Sequence, residues 1–156
     1  MPIRYRPMPT DTARAFQSGA LDANGLAPEK TVSRGLGNLC RHCLCDVPDG
    51  EEMLVLAYRP FATRQPYAET GPVFLCARAC TAYGRDHQTP DALAGSPDFI
   101  VRGYTADDRI AYGTGGVVPT AKITQRAEAI LSDPSIAYVH VRSARNNCWQ
   151  GRIDRA

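Results

Sequence analysis

Five of the six cysteines lie in two short segments, and each segment holds a closely spaced pair. Two residues separate Cys40 from Cys43, three separate Cys76 from Cys80, and 32 residues lie between the pairs. Zn²⁺ takes four donors at the corners of a tetrahedron, and a tight turn between paired thiols aims both sulfurs at one point. The spacing therefore predicts that these four cysteines bind one zinc ion.

Four thiolate ligands leave no open coordination position, so the expected role of the zinc is structural. Two other interpretations of the same cysteines stay open. They could be reduced thiols packed as small hydrophobic side chains, or a disulfide framework in an exported protein. Cys45 is left over as a spare thiol, and His42 and His87 are left over as spare imidazoles.

The composition narrows the class of protein. A chain of 156 residues has the length of one domain and can bury a core without metal. Its residues are 44% hydrophobic and 22% charged, and its net charge of +2 is spread without a basic stripe, which argues against nucleic acid as a partner. No run reaches the ~18 apolar residues of a membrane span, and none resembles a leader. We therefore expect a cytoplasmic protein without a membrane partner, and a reducing cytosol disfavours disulfides.

Strands are the elements expected to position the cysteines. Residues 39–45 and 52–58 are predicted to pair as a central hairpin around a turn at 46–50, and residues 73–76 to form a strand beside it. That arrangement would bring the two cysteine pairs together at a sheet edge. Residues 20–37 are rich in Gly, Asn, Asp and Pro, which predicts a long surface loop.

The remaining pattern indicates an α+β fold. Strands are predicted at 99–104 and 109–113 and again at 136–142 and 148–154, with a short helix at 11–18. The main amphipathic helix, near residues 120–132, places four apolar residues on one face at helical spacing: Ile123, Ala127, Ile130 and Leu131. We expect a single domain built on a mostly antiparallel sheet. Residues 1–37 are predicted to be a partly irregular N-terminal segment packed on a domain that spans 38–156.

The C-terminal hairpin concentrates the other reactive residue types. His140 and Cys148 are predicted to lie on neighbouring strands, and a thiol beside an imidazole is the minimum for an activated nucleophile. Arg145, in the turn between them, is the candidate group for an acidic substrate. The structural alternative is a core thiol beside a strand histidine. Arg41, Tyr58 and Tyr67 are candidate binding residues, although aromatic residues in strands usually belong to a core.

Several stretches resemble a bacterial family designated domain of unknown function 1203, DUF1203. They are Cys40-Arg41, Leu54 to Tyr58, Pro66 to Phe74, Arg102-Gly103-Tyr104, Ala137 to Arg145, and Cys148 to Arg155. The resemblance spans about residues 38–156. It implies that position 76 accepts either His or Cys, which is how interchangeable zinc ligands behave. It also implies that Cys45 is not a ligand, and it implies no reaction.

Three function classes follow from these observations. The first is a zinc-stabilised domain that binds a small molecule or a protein partner. The second is a thiol- or metal-dependent enzyme that acts on an acidic small molecule with His140, Arg145 and Cys148. The third is a redox or metal sensor in which the four paired cysteines switch between bound and oxidised forms.

Overall fold

The computed structural model describes residues 2–156 and shows two antiparallel sheets and two α-helices. One sheet has five strands in the order β1-β8-β7-β5-β6, and the other has three in the order β2-β3-β4. The predicted α+β class is therefore confirmed. The strands are β1 (Ile3–Arg6), β2 (Glu29–Val32), β3 (Glu52–Tyr58), β4 (Gly71–Cys76), β5 (Asp98–Tyr104), β6 (Gly116–Pro119), β7 (Tyr138–Ser143) and β8 (Trp149–Arg155); the helices are α1 (Thr10–Gln17) and α2 (Ile123–Leu131).

Helix α2 packs on one face of the five-stranded sheet. Its four predicted core residues are all buried, as the helical spacing indicated. They meet the residues of β5 and β7 that point to the same side, among them Val101, Val139 and Val141. Gly103 of β5 lies directly beneath the helix, since a Cβ added there would come 2.9 Å from Ile130 Cγ2. The first turn of the predicted helix, Thr120–Lys122, is a 3-10 turn.

The opposite face of this sheet is polar and aromatic, yet it is also covered. Alternation along β7 points Tyr138, His140 and Arg142 away from α2, and all three are buried. A loop that carries the buried residue Phe61 packs against this face, because Phe61 lies beside Tyr104 and His140. We call this surface the polar face; its members are Arg102, Tyr104, Tyr138, His140, Arg142, Trp149 and Arg152.

A second core lies between the three-stranded sheet and helix α1. Leu54, Leu56 and Leu75 of the small sheet are buried there together with Met8 and Ala13 from the N-terminal segment. The same segment contributes β1, which pairs with β8 in the larger sheet. Residues 3–17 therefore contact both sheets.

The predicted central hairpin of residues 39–58 is wrong. Residues 39–45 form a turn rather than a strand, and Leu44 within it adopts a left-handed φ of 54° that a strand does not accommodate. Strand β3 pairs instead with β2 and β4. Strand β2 lies inside the predicted loop at 20–37; its four residues are exposed, so it lacks the apolar alternation that marks a strand.

The predicted strand at 109–113 is also wrong. The chain begins to pair with β5, since Ala111 N–H donates to the carbonyl oxygen of Gly103 at 2.9 Å. Gly113, with a positive φ of 91°, then turns the chain away, and the pairing is resumed by β6. The two C-terminal strands, β7 and β8, form the expected hairpin.

Candidate metal centre and the cleft beside it

The four paired cysteines converge on one point. Their Sγ atoms all lie within 4.8 Å of one another. Cys40 Sγ is 3.8 Å from Cys80 Sγ, and Cys43 Sγ is 4.0 Å from Cys76 Sγ. Four sulfurs bound to one ion at about 2.3 Å would be ~3.8 Å apart. The cluster can therefore hold one metal ion in tetrahedral coordination.

The turn at residues 40–45 delivers the first pair of sulfurs. Leu44 N–H donates to the carbonyl oxygen of Cys40 at 2.9 Å, and Cys40 N–H donates to the carbonyl oxygen of Cys45 at 2.9 Å. Strand β4 lies alongside this turn, because Arg41 N–H donates to the carbonyl oxygen of Phe74 at 3.0 Å. Cys76 at the end of β4 donates its N–H to Cys40 Sγ at 3.3 Å, which is the kind of bond that stabilises a thiolate.

His42 supports the cluster without belonging to the four ligands. Its Nδ1 lies 3.1 Å from Cys80 Sγ, and its Nε2 lies 2.9 Å from Thr10 Oγ1. A thiolate only accepts hydrogen bonds, so Nδ1 carries the proton and Nε2 accepts from the Thr10 hydroxyl. Burial lowers the pKa of His42, although the charge of Cys40 opposes this, and the ring is neutral near pH 7. The histidine therefore orients one sulfur as the partners of metal ligands do elsewhere.

Helix α1 encloses the second pair of sulfurs. Arg14 Nη2 donates to the carbonyl oxygen of Cys80 at 2.7 Å. Gln17 Nε2 donates to the carbonyl oxygens of Cys76 and Arg78 at 2.9 and 3.0 Å. These supporting residues carry no local sequence signal, because they lie 59 and 66 positions from the cysteines they contact. Only His42, which lies inside the first cysteine pair, carried a local signal.

The thiols share their protons through mutual hydrogen bonds. The bond from Cys43, followed by those from Cys76 and Cys80, lowers the pKa of Cys40. The same bonding, led by the contact with Cys40, raises the pKa of Cys43 and of Cys76. Cys45 lies outside the cluster; it is exposed, and its Sγ contacts the carbonyl oxygen of Cys43 at 3.6 Å.

The predicted catalytic residues occupy three different environments. His140 is buried on the polar face and lines a cleft of about 630 Å³. Cys148 is half-buried and lines two other cavities. Arg145 is at the surface, paired with the carboxylate of Asp98. The expected joint concavity of His140 and Arg145 is therefore wrong, because the turn at 144–147 points the arginine toward β5.

The predicted binding residues are also dispersed. Arg41 is buried and donates to the carbonyl oxygens of Trp149 and Leu39 at 2.6 and 2.5 Å, and burial lowers its pKa to about 10, so it remains charged. Tyr67 is in a surface loop, where its hydroxyl meets that of Tyr112. Tyr58 does line the 630 Å³ cleft. Its pKa is raised by burial to about 12, so its hydroxyl is protonated.

The cleft itself lies between the polar face and the N-terminal segment. Tyr58, Phe61 and Trp149 provide aromatic walls, and Met8 and Thr10 contribute from the other side. A smaller cavity of about 180 Å³ lies on the far side of Tyr58 and Trp149 and includes Arg142, Asn147 and Cys148.

A family model described as "Protein of unknown function (DUF1203)" matches residues 37–155. The chain belongs to the DUF1203 family. The match contains all four clustered cysteines and the whole polar face, whereas β1, α1 and β2 precede it. Comparisons with curated proteins and with solved structures gave no match. Among residues 2–156, no helix is both long and apolar enough to cross a bilayer.

Proposed function

We propose that this DUF1203 protein is a zinc-stabilised binding domain in which Cys40, Cys43, Cys76 and Cys80 hold one structural Zn²⁺. The observation that carries the proposal is the convergence of four sulfurs within 4.8 Å. Thiolates are soft ligands that favour zinc over hard cations such as magnesium. Because all four positions are taken by protein sulfur, the site offers no position for a substrate, and a structural role fits better than a catalytic one.

The charges around the cluster support this assignment. Zinc with four thiolates carries a net charge of −2, which needs compensation when it is partly buried. Arg14 donates to the carbonyl oxygen of Cys80, and the buried guanidinium of Arg41 interacts electrostatically with Cys148 and, more weakly, with Cys40. Two arginines thus offset the charge of the proposed centre. Among residues 2–156, the buried guanidinium of Arg41 bonds to carbonyl oxygens and to no carboxylate, and the cluster contributes to its counter-charge after Cys148.

The metal would fasten three parts of the chain. It would join the turn at 40–45 to the segment 76–80, and the contacts of α1 with Cys76 and Cys80 would attach the N-terminal segment to the same centre. This segment also forms one wall of the 630 Å³ cleft. We therefore assign the metal a supporting role and the cleft the role of binding a small molecule.

Metal analysis of protein purified without chelator tests the zinc site. We expect one equivalent of zinc per chain, and we expect Cys76→Ser to lose it because three thiolates and a hydroxyl bind zinc more weakly. The matched control is Cys45→Ser, which removes an exposed thiol two residues from a ligand and should keep the full equivalent. Wild-type protein with well under one equivalent, or equal zinc content in Cys76→Ser, would overturn the assignment.

A redox or metal-sensing role is a second candidate, favoured by the exposure of the sulfurs. Three of the four cysteines are only partly buried, and the sulfurs approach in pairs at 3.8 and 4.0 Å. Hydrogen peroxide would oxidise two thiolates to a disulfide, be reduced to water and release the zinc. Reversible zinc release at low peroxide would favour the sensor, and retention of zinc would favour the structural role.

A further inference from the structure

The polar face holds an unusual concentration of buried nitrogens without partners. Among residues 2–156, seven buried side-chain nitrogen or oxygen atoms have no hydrogen-bond partner, and five of these belong to three neighbouring residues. They are Nδ1 and Nε2 of His140, Nε and Nη2 of Arg142, and Nε1 of Trp149. We call these three residues the nitrogen cluster. Native proteins satisfy nearly all buried polar groups, so a local group of exceptions indicates a site where something else supplies the partners.

The geometry of the strands places the three residues together. His140 and Arg142 point to the same side of β7, and Trp149 of β8 is the register partner of Arg142. The ring centroids of His140 and Trp149 are 5.9 Å apart. Because Arg142 and Trp149 line the same cavity, one small ligand can reach both of them.

The nitrogen cluster is rich in N–H donors, which favours a ligand rich in hydrogen-bond acceptors. Arg142 and Trp149 supply only N–H donors, and a neutral His140 supplies one donor and one acceptor. The free atoms of Arg142, Nε and Nη2, form the edge of the guanidinium that matches the two oxygens of a carboxylate. Its Nη1 is already engaged by the carbonyl oxygen of Asn147 at 3.1 Å and by Glu69 at 3.3 Å, which fixes the orientation of that edge.

The net charge of the polar face favours a ligand with one negative charge. Four arginines, Arg6, Arg102, Arg142 and Arg152, lie on or beside this face with three carboxylates, Glu69, Asp108 and Asp154, which leaves one positive charge. Glu69 cannot serve the free edge of Arg142 because it already bridges Arg102 and Nη1 of Arg142. A single carboxylate would therefore neutralise this face.

The cavities on either side of the cluster define the shape of the ligand. The 630 Å³ cleft includes His140 and Trp149, and the 180 Å³ cavity includes Arg142 and Trp149. Tyr58 and Trp149 line both, with ring centroids 5.2 Å apart. Phe61 lies on a loop that forms neither helix nor strand, and its ring covers His140 with the two ring centroids 5.2 Å apart. A flat apolar group fits such aromatic walls, and a shift of the Phe61 loop would give it access.

We propose that the nitrogen cluster binds the carboxylate of a small aromatic acid, whose ring lies against Tyr58 and Trp149, which line both cavities. The inference rests on the proposed function, since it names the ligand class of the binding cleft. The carboxylate takes the Nε/Nη2 edge of Arg142, and the indole N–H of Trp149 donates to it. His140 closes the site from the other side.

Benzoate is the probe that tests this inference, and Trp149 is the reporter because it is the only tryptophan in the chain. We expect benzoate to change the tryptophan fluorescence saturably, with a dissociation constant in the millimolar range or below. Arg142→Lys keeps the charge but loses the planar edge, so its affinity should fall about tenfold or more. The matched control is Arg145→Gln, which removes an exposed arginine three residues away and should bind like wild type.

Two further ligands test the separate parts of the proposal on unaltered protein, which also covers the case that Arg142→Lys does not fold. Benzamide has the same shape without the charge, and equal binding of benzamide overturns the carboxylate assignment. Inorganic phosphate has charge without the ring, and competition by phosphate at similar concentration overturns the aromatic assignment. Absence of any saturable response to benzoate overturns the inference as a whole.

Zinc content measured on the same samples separates this inference from the proposed function. Protein that holds one equivalent of zinc and ignores benzoate contradicts the ligand assignment alone. Protein that binds benzoate but holds no zinc contradicts the metal assignment alone. Binding of benzamide without binding of benzoate would support a binding cleft and contradict the assignment of an acidic ligand.

Discussion

Replacement of His140 by phenylalanine should make the protein more stable. The imidazole is 1% exposed, and neither ring nitrogen has a hydrogen-bond partner among the residues that the structure describes. Around it are four aromatic side chains with ring centroids between 4.7 and 5.9 Å away: Phe61, Tyr104, Tyr138 and Trp149. These distances suit an aromatic ring of either kind. A phenyl ring would therefore keep the packing and remove both unsatisfied atoms.

The expected gain in the free energy of unfolding comes from removing the two unsatisfied nitrogens. Each buried polar group without a partner costs about 1–3 kcal/mol. A phenyl ring is slightly larger than an imidazole, and overpacking a core costs about 1–3 kcal/mol. The net expectation for His140→Phe is an increase of roughly 1–3 kcal/mol in the free energy of unfolding. For a domain of this length, each kcal/mol raises Tm by about 2–4 °C.

The difference in stability between His140→Phe and the wild type should grow as the pH falls. Burial, and then the charges of Arg142, Arg152 and Arg102, hold the pKa of His140 well below its usual value of 6.5. Below pH 6.5 the unfolded chain therefore takes up a proton that the folded protein excludes, and the wild type loses about 1.4 kcal/mol per pH unit through this residue. The variant has no such loss. The other acidic and phenolic groups at this face are present in both proteins and cancel in the comparison: Tyr104, Tyr138, Glu69, Asp108 and Asp154.

Urea denaturation of both proteins at pH 7.5, 6.0 and 5.0 measures the effect, with benzoate titration of the same samples as the functional readout. We expect the variant to be more stable and to bind benzoate less tightly, a combination typical of residues kept for function. His140→Phe less stable than wild type by more than about 1 kcal/mol would refute the reasoning. That result would show that the imidazole nitrogens make bonds that stabilise the folded state.

Two other predictions concern the helix contact and the metal. Gly103→Ala should destabilise the protein by about 1–3 kcal/mol, because the new Cβ would lie 2.9 Å from Ile130 and 3.1 Å from Ile136. The control is Gly116→Ala in the adjacent strand, where a new Cβ meets no described atom within 4 Å, so the substitution should be neutral. Equal changes in Tm for the two variants would contradict this prediction. Zinc affinity should fall as the pH is lowered from 7.5 to 5.5, because protons compete for the thiolates. A competition titration with a chelating dye measures the affinity, and an affinity independent of pH would argue against thiolate ligands.

The features that the sequence did predict depend on local periodicity. The helical stripe from Ile123 to Leu131 and the C-terminal hairpin both carry their apolar pattern within one segment. The cysteine pairs are also recognisable from the sequence, since close spacing of thiols is a local property. What failed was the element assigned to Cys40 and Cys43, because two sulfurs aimed at one point need a turn, and the left-handed Leu44 provides it without the usual glycine.

The structure does not bring His140 and Cys148 together, for a reason that no sequence pattern reveals. A β-bulge between Val141 and Arg142 shifts the register, so that Arg142 faces Trp149 rather than Gln150. This single irregularity places the indole beside His140 and leaves Cys148 outside the cleft. A shift of one residue reverses which side chains share a face. Side-chain proximity across strands therefore could not be derived from the spacing of His140 and Cys148.

The pairing of β1 with β8 has a consequence for how the family region behaves alone. A fragment restricted to residues 37–155 lacks β1 and β2, so the outer edges of β8 and β3 would present their N–H and C=O groups without a neighbouring strand. Unprotected edges recruit strands from other molecules. The loss of Met8 and Ala13 would also uncover apolar surface on the small sheet. Such a fragment would self-associate edge to edge, and its aggregation would reflect the two missing strands rather than a defect of the family fold.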